Sequence, residues 1–170
     1  MRSYNDEVQE VIPIILEAAH QEILPRWDKV VAEVKGISPS GYKDTVTEAD
    51  RAASEYILDR VRKRFPGSYS EEHPHIDDIN RWKEDFVWHF DPVDGTMEFC
   101  EKMHTGYALN AALLKKRDGG TYFPVAGIVY RPGDDALLCN DGLETHFMRD
   151  GKELDLPRPS RASVNGWVRK

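Results

Sequence analysis

DPVDGTMEFC, residues 91–100, follows directly on FVWHF, residues 86–90, and the periodicity of the chain changes around this join. FVWHF is a short aromatic and β-branched run, which predicts a strand ending at Asp91. Further strands are predicted at Gly106–Lys115, Phe123–Tyr130, Ala136–Cys139 and Thr145–Met148. Between and after them stand Asp118-Gly119-Gly120, Pro132-Gly133-Asp134, Asn140-Asp141-Gly142 and Asp150-Gly151, turn signals at hairpin-like spacing. Upstream the pattern is helical. From about Asp6 to Val34, Val8, Ile12, Ile15, Leu16, Ala19, Ile23, Trp27, Val30, Val31 and Val34 recur at three- and four-residue steps, giving one buried face that Pro13 and Pro25 kink or split. Lys35–Lys43, with Gly36, Pro39, Ser40 and Gly41, reads as loop. A second helix starts at Thr47-Glu48-Ala49-Asp50, where Thr47 serves as N-cap and the acids favour the positive helix start. Its apolar face is Ala53, Tyr56, Ile57, Val61 and Phe65, and Pro66-Gly67 stops it. Two helices followed by an antiparallel meander predict an α+β fold, the helices packed on a mainly antiparallel sheet.

At 170 residues the chain suits one domain that buries roughly two-thirds of its unfolded surface. Hydrophobic residues make up 40% and charged residues 31% of the sequence, as in a soluble globular protein, and no apolar run approaches the ~20 residues of a membrane span. The first residues, MRSYNDEVQE, lack the basic-then-apolar pattern of a secretory signal, so a cytoplasmic location is the expectation. The net charge of −7 argues against a nucleic-acid polymer as partner, and a phosphate ligand would need help from a cation. Cys100 and Cys139 stand in no CxxC or Cys/His spacing and are expected to be reduced and packed.

Within DPVDGTMEFC, Asp91 and Asp94 flank a proline-stiffened turn, and Gly95 lets the backbone approach a ligand closely. Two carboxylates held this close repel one another unless one takes a proton or a cation bridges them. Magnesium and similar hard cations suit carboxylate, carbonyl and water oxygens; here the Val93 carbonyl and the Thr96 hydroxyl are further donors. An ordinary turn with two solvated acids is the alternative. An EF-hand is excluded, because ligands at alternate positions would fall on Asp91, Val93 and Gly95. Aspartyl-phosphate chemistry of the Asp-x-Asp kind fails because the acids are three apart. A second acidic cluster lies in SYSEEHPHIDD, residues 68–78, where Glu71 and Glu72 at a strand end could face the same cleft. His73 and His75 there straddle Pro74, which weakens a zinc reading. Asp50 is a third acid, although an Asp in a first helical turn stabilises the helix without any ligand.

Together these pieces resemble the inositol monophosphatase superfamily of magnesium-dependent, typically lithium-sensitive phosphatases. The matching stretches are VTEADRAASEYILDRVRKRFPG, then Glu71-Glu72, then DPVDGTMEF, followed by YALNAALL and PVAGIVYRP. The resemblance implies the first half of a layered αβαβα sugar-phosphatase fold. It implies that Glu71, Asp91, Asp94 and the Val93 carbonyl hold catalytic Mg2+, with Asp50 and Glu72 supporting a weaker metal position or orienting water. Thr96 would help to activate the nucleophilic water, and backbone amides near Gly95 and Thr96 would receive the substrate phosphate. The implied function is Mg-dependent hydrolysis of a small phosphate monoester by metal-activated water, with Glu71, Asp91, Asp94 and Thr96 catalytic. The implied partners are a small phosphorylated metabolite and, since relatives are commonly dimers, a second copy of the chain.

Two departures qualify the resemblance. Ser70 precedes Glu71-Glu72 where the family usually has Gly. The downstream Trp-Asp-x-Ala-Ala motif, whose Asp completes the family's metal site, is missing, and Trp27-Asp28 lies in the wrong place to replace it. Residues 1–170 are therefore expected to be an N-terminal metal-binding domain, without the C-terminal α/β domain. Met97-Glu98-Phe99 and PVAGIVYRP lean towards 3'(2'),5'-bisphosphate nucleotidases, whereas the ILPRW helix looks equally like broad bacterial inositol monophosphatases. The competing class is a catalytically incomplete domain that only binds metal or a partner.

Overall fold

The computed structural model describes residues 3–37, 41, 43–73 and 83–156. Pro39 and Ser40 of the predicted loop, Pro74, His75 and the acids Asp77 and Asp78, and the terminal Trp167–Lys170 lie outside the described residues. Helix α1 (Asn5–Ala18) leads through a π turn (Ala19–Ile23) into a 3-10 segment (Leu24–Lys29). Strands β1 (Glu33–Ile37) and β2 (Lys43–Val46) pair as an antiparallel hairpin. After α2 (Glu48–Val61) come β3 (Tyr69–Ser70), β4 (Phe86–Asp94), the short helix α3 (Thr96–Cys100), β5 (Ala108–Lys116), β6 (Tyr122–Arg131), β7 (Ala136–Asn140), β8 (Thr145–Arg149) and β9 (Lys152–Leu154). The large sheet runs β3-β4-β5-β6-β7-β8-β9, antiparallel throughout except that β3 lies parallel to β4. The α+β expectation therefore holds.

The core forms where the helices cover one face of this sheet, with α1 against β6 and α2 against β4. Period-2 alternation sends Trp88 and Phe90 of β4, Leu109, Ala111 and Leu113 of β5, Ile128 and Tyr130 of β6, and Leu137 and Cys139 of β7 into that layer. They meet Val8, Val11 and Ile15 of α1 and Ala53, Ile57 and Val61 of α2. Cys139 is buried and Cys100 half-buried, both as free thiols.

Three expectations are corrected. The helical face does not reach Val34: the chain is extended from Val30, and Val31 and Val34 are 75% and 53% exposed, so their three-residue spacing marks no core face. Lys35–Ile37 belongs to β1 rather than to a loop. The Asp91–Asp94 segment is not a turn after the strand but its continuation, with an irregularity in the β4–β5 register between Asp91 and Asp94. Pro92, which has no N–H to give to a ladder, sits where a bulge relieves the sheet of needing one. Pro13 lies inside α1 without ending it; the split comes at the π turn.

The second helix starts as its sequence predicts. Thr47 accepts from the backbone N–H of Ala49, and Asp50 Oδ2 accepts from Thr47 N at 2.8 Å, a closed capping box that fixes where Asp50 sits.

Candidate active site

The site lies where β4 ends. The parallel register sets Ser70 of β3 beside Phe90, and Glu71 N donates to Phe90 O at 3.1 Å, so Glu71 leaves the sheet next to Asp91. Ser54 of α2 and Ser70 share a hydrogen bond between hydroxyls, and Ser68 Oγ accepts from Trp88 N at 3.0 Å. These bonds tie β3 to α2 on one side and β4 on the other, which places Asp50, Glu71 and Asp91 in one neighbourhood. Gly95 turns the chain with φ +92°, and a Cβ there would stand 2.5 Å from Gly106 O, so the position suits only glycine. Immediately after it Thr96 opens α3 and donates from Oγ1 towards Val93 O at 3.1 Å and Asp50 Oδ1 at 3.4 Å.

Glu71, Asp91, Val93, Asp94, Gly95 and Thr96 line a single cavity of about 260 Å3. Asp50 and Glu72 stand behind it. Asp50 is fully buried and touches the cavity through Thr96, and the Glu72 side chain, 4% exposed, is held by Lys35 Nζ at 2.6 Å. Sequence reasoning missed several members. Thr45, Met97 and Glu98 complete the cavity lining. Lys35, on the β1–β2 hairpin, also stands 3.9 Å from Glu71. Asn110 of β5 lies opposite Asp91 in the register, and its Nδ2 donates to Asp94 Oδ2 at 2.7 Å. Only Asn110 left a legible signal, as a polar residue in the apolar strand YALNAALL on the face opposite Leu109 and Ala111.

The electrostatics are those of acids crowded together. Burial, then the charges of Glu71, Asp94 and Asp50, push the Asp91 carboxyl up to about 7. Its Oδ1 is buried with no hydrogen-bond partner among the described residues. Burial raises Asp50 as well, against the stabilising bonds from Thr47, and burial raises Glu71 against the pull of Lys35. Among the described residues no three His, Cys, Asp or Glu groups are arranged as they stand to hold a metal ion. An orphaned, buried carboxylate oxygen surrounded by like charges nevertheless fits a hard cation, which would remove the repulsion and complete its coordination. With His75 outside the described residues, the pairing of His73 with it has no geometry to support a zinc site.

The inositol monophosphatase family model matches residues 5–165. The chain is 42% identical over 143 residues to the fructose-1,6-bisphosphatase/inositol-1-monophosphatase of Thermotoga maritima, covering 84% of this chain and 50% of that protein. It is 32% identical over 126 residues to a 3'(2'),5'-bisphosphate nucleotidase of Salmonella typhimurium, covering 69% of this chain and 48% of the relative. Among solved structures it resembles an inositol monophosphatase of Thermotoga maritima, with TM-score 0.65 and 25% identity, covering 89% of this chain and 54% of that one. The chain thus spans about half the length of these relatives.

Proposed function

This chain belongs to the inositol monophosphatase family, and from that premise we propose that it contributes the metal- and phosphate-holding half of a magnesium-dependent phosphatase acting on a small phosphate monoester. The observation that carries the reading is the unpartnered Asp91 Oδ1 in a cavity shared with Glu71, Asp94, the Val93 carbonyl and Thr96. Glu71, Asp91, Asp94 and the Val93 carbonyl would hold Mg2+, with Asp50 and Glu72 behind them. A bound magnesium supplies charge neutralisation for the phosphate and lowers the pKa of water.

The protein's own groups do the positioning. The Thr96 hydroxyl carries one proton and has two acceptors for it, Val93 O and Asp50 Oδ1. Its lone pairs are therefore turned to receive a hydrogen bond from a water in the cavity, and Asp50, raised by burial, can take up the proton that Thr96 passes on. Gly95 and Thr96 line the cavity, where their backbone could meet a phosphate, and the missing Cβ of Gly95 leaves room for the Gly106 carbonyl behind it. Asn110 fixes the Asp94 carboxylate in place.

A second reading, a domain that binds cation or a partner without turnover, is favoured by the Lys35 ammonium, which already neutralises Glu72. A magnesium-titrated phosphatase assay separates the two. Release of phosphate that rises with magnesium and falls at least a hundredfold in Asp91→Asn supports the enzyme. Magnesium uptake with no phosphate released overturns it in favour of the second reading.

A further inference from the structure

The β1–β2 hairpin carries a bulge beside the site. Val34 pairs with Thr45 and Gly36 with Asp44, so Lys35 is the extra residue on β1. A bulge frees one residue from the ladder and re-aims its side chain. Thr45, opposite the bulge, lines the site cavity. The Lys35 ammonium donates to Glu72 Oε1 at 2.6 Å and stands 3.9 Å from Glu71 Oε1. A second ion pair fixes the hairpin where this contact needs it. Arg51, directly after Asp50 in the first turn of α2, donates from Nη1 and Nη2 to Glu33 Oε1 and Oε2 at 3.1 and 2.6 Å. This two-pronged bond clamps β1 to α2 just before Lys35.

Asp50, Glu71, Glu72, Asp91 and Asp94 gather here, and the positive charge that answers them is unevenly placed. At Asp91 the neighbouring charges are those of Glu71, Asp94 and Asp50, all negative, and Oδ1 has no partner among the described residues. At Glu72 the case is reversed. Its side chain is only 4% exposed and already holds an ammonium. An exposed Lys–Glu pair would be a minor surface feature. A carboxylate this buried is different, because removing its cation strands a charge that another cation must answer. Glu71 stands between the two halves, sharing the cavity with Asp91 and Asp94 on one side and facing Lys35 on the other. A divalent ion at Glu72 would have to stand against the compact point charge of the ammonium. The open donors lie on the other side, at Asp91, the Val93 carbonyl and Asp94.

We propose that the Lys35 ammonium is a built-in cation that fills the position at Glu72, so that this chain takes one divalent ion, at Asp91 and Asp94, where the acids alone would take two. The inference rests on the proposed metal-holding function and narrows it: Glu72 serves Lys35 rather than a metal.

The test counts ions. Mn2+, which suits the same oxygen donors, is titrated into the metal-stripped chain while its free electron paramagnetic resonance signal is followed. The wild type and Lys35→Arg should each bind one ion, and Lys35→Met, shown to be folded by circular dichroism, should bind two. A second measurement needs no variant. In the 15N-lysine-labelled wild type, the Lys35 Nζ–H signal, protected by its bond to Glu72, should persist through magnesium saturation. Where the wild type binds metal, a count of two in it, a count no higher in folded Lys35→Met, a count of two in Lys35→Arg, or loss of the Lys35 signal as magnesium binds overturns the built-in cation and leaves the phosphatase reading standing. No ion in the wild type but one in Lys35→Met upholds the built-in cation and overturns the magnesium-dependent function. No ion in either protein overturns both.

Discussion

At the scale of single residues, the decisive group is Asp91. Its carboxyl is pushed up to about 7 by burial and by Glu71, Asp94 and Asp50, whereas in an unfolded chain it would titrate near 4. A raised carboxyl works against folding wherever it must ionise. The cost is absent below about pH 4, where both states are protonated, and grows to its full value above about pH 7. Asp91→Asn in EDTA is therefore expected to be more stable than the wild type at pH 8 by about 1–2 kcal/mol, after allowance for solvent screening, with the difference vanishing near pH 4. Calorimetric melting at pH 8, 6 and 4 reads this directly; a variant less stable at pH 8, or a difference that does not depend on pH, contradicts it. DPVDGTMEFC announced the pair of acids and the glycine after them, because Pro, Asp and Gly are local signals. It could not announce Lys35, whose ion pair with Glu72 spans 37 residues and leaves no mark in the neighbouring sequence.

At the scale of elements, the meander was legible because each of its turns carries its own chemistry. The β7–β8 connection shows how much such a turn fixes. Asp141 Oδ1 accepts from Leu143 N and Glu144 N, both at 2.8 Å, its Oδ2 accepts from Ser3 Oγ at 2.6 Å, and its carbonyl accepts from Tyr4 N at 2.8 Å. One residue thus closes a turn and anchors the start of α1. The bonds from Glu144, Ser3 and Leu143 hold its carboxyl down at about 2. A depressed carboxyl contributes stability above its unfolded pKa near 4 and loses it as the pH falls towards 2. Asp141→Ala should lower the unfolding free energy in urea by about 1–3 kcal/mol at neutral pH, and the gap from the wild type should close as the pH drops towards 2. A midpoint unchanged at pH 7 would show that the anchor carries no stability. The β1–β2 hairpin was illegible for the opposite reason. Val30, Val31 and Val34 have helical spacing, but Val31 and Val34 are exposed, so hydrophobic periodicity pointed to a buried face where there is none.

At the scale of the whole molecule, the sheet has two unlike faces. One buries Trp88, Phe90, Leu109 and Ile128 under α1 and α2. The other presents Asp91, Asn110, Val129 and Leu138 in a single row of paired residues, with Val129 and Leu138 41% and 38% exposed. The candidate site residues gather where this second face meets the end of β4, and Asp50 reaches them from α2, on the core side, through Thr96. The sequence alternation of β4 to β7 made the layering readable, whereas the convergence of α2, β3 and β4 on one cavity depends on crossovers that no local pattern records. The central claim is that folding gathers Asp50, Glu71, Asp91 and Asp94 into a cluster whose mutual repulsion a divalent cation relieves. Isothermal titration of magnesium into the folded chain, beside Asp91→Asn, tests it most directly. Saturable uptake that weakens as the pH falls below 7 and drops at least tenfold in Asp91→Asn is the predicted result. No uptake, or uptake equal in the two proteins, would contradict it.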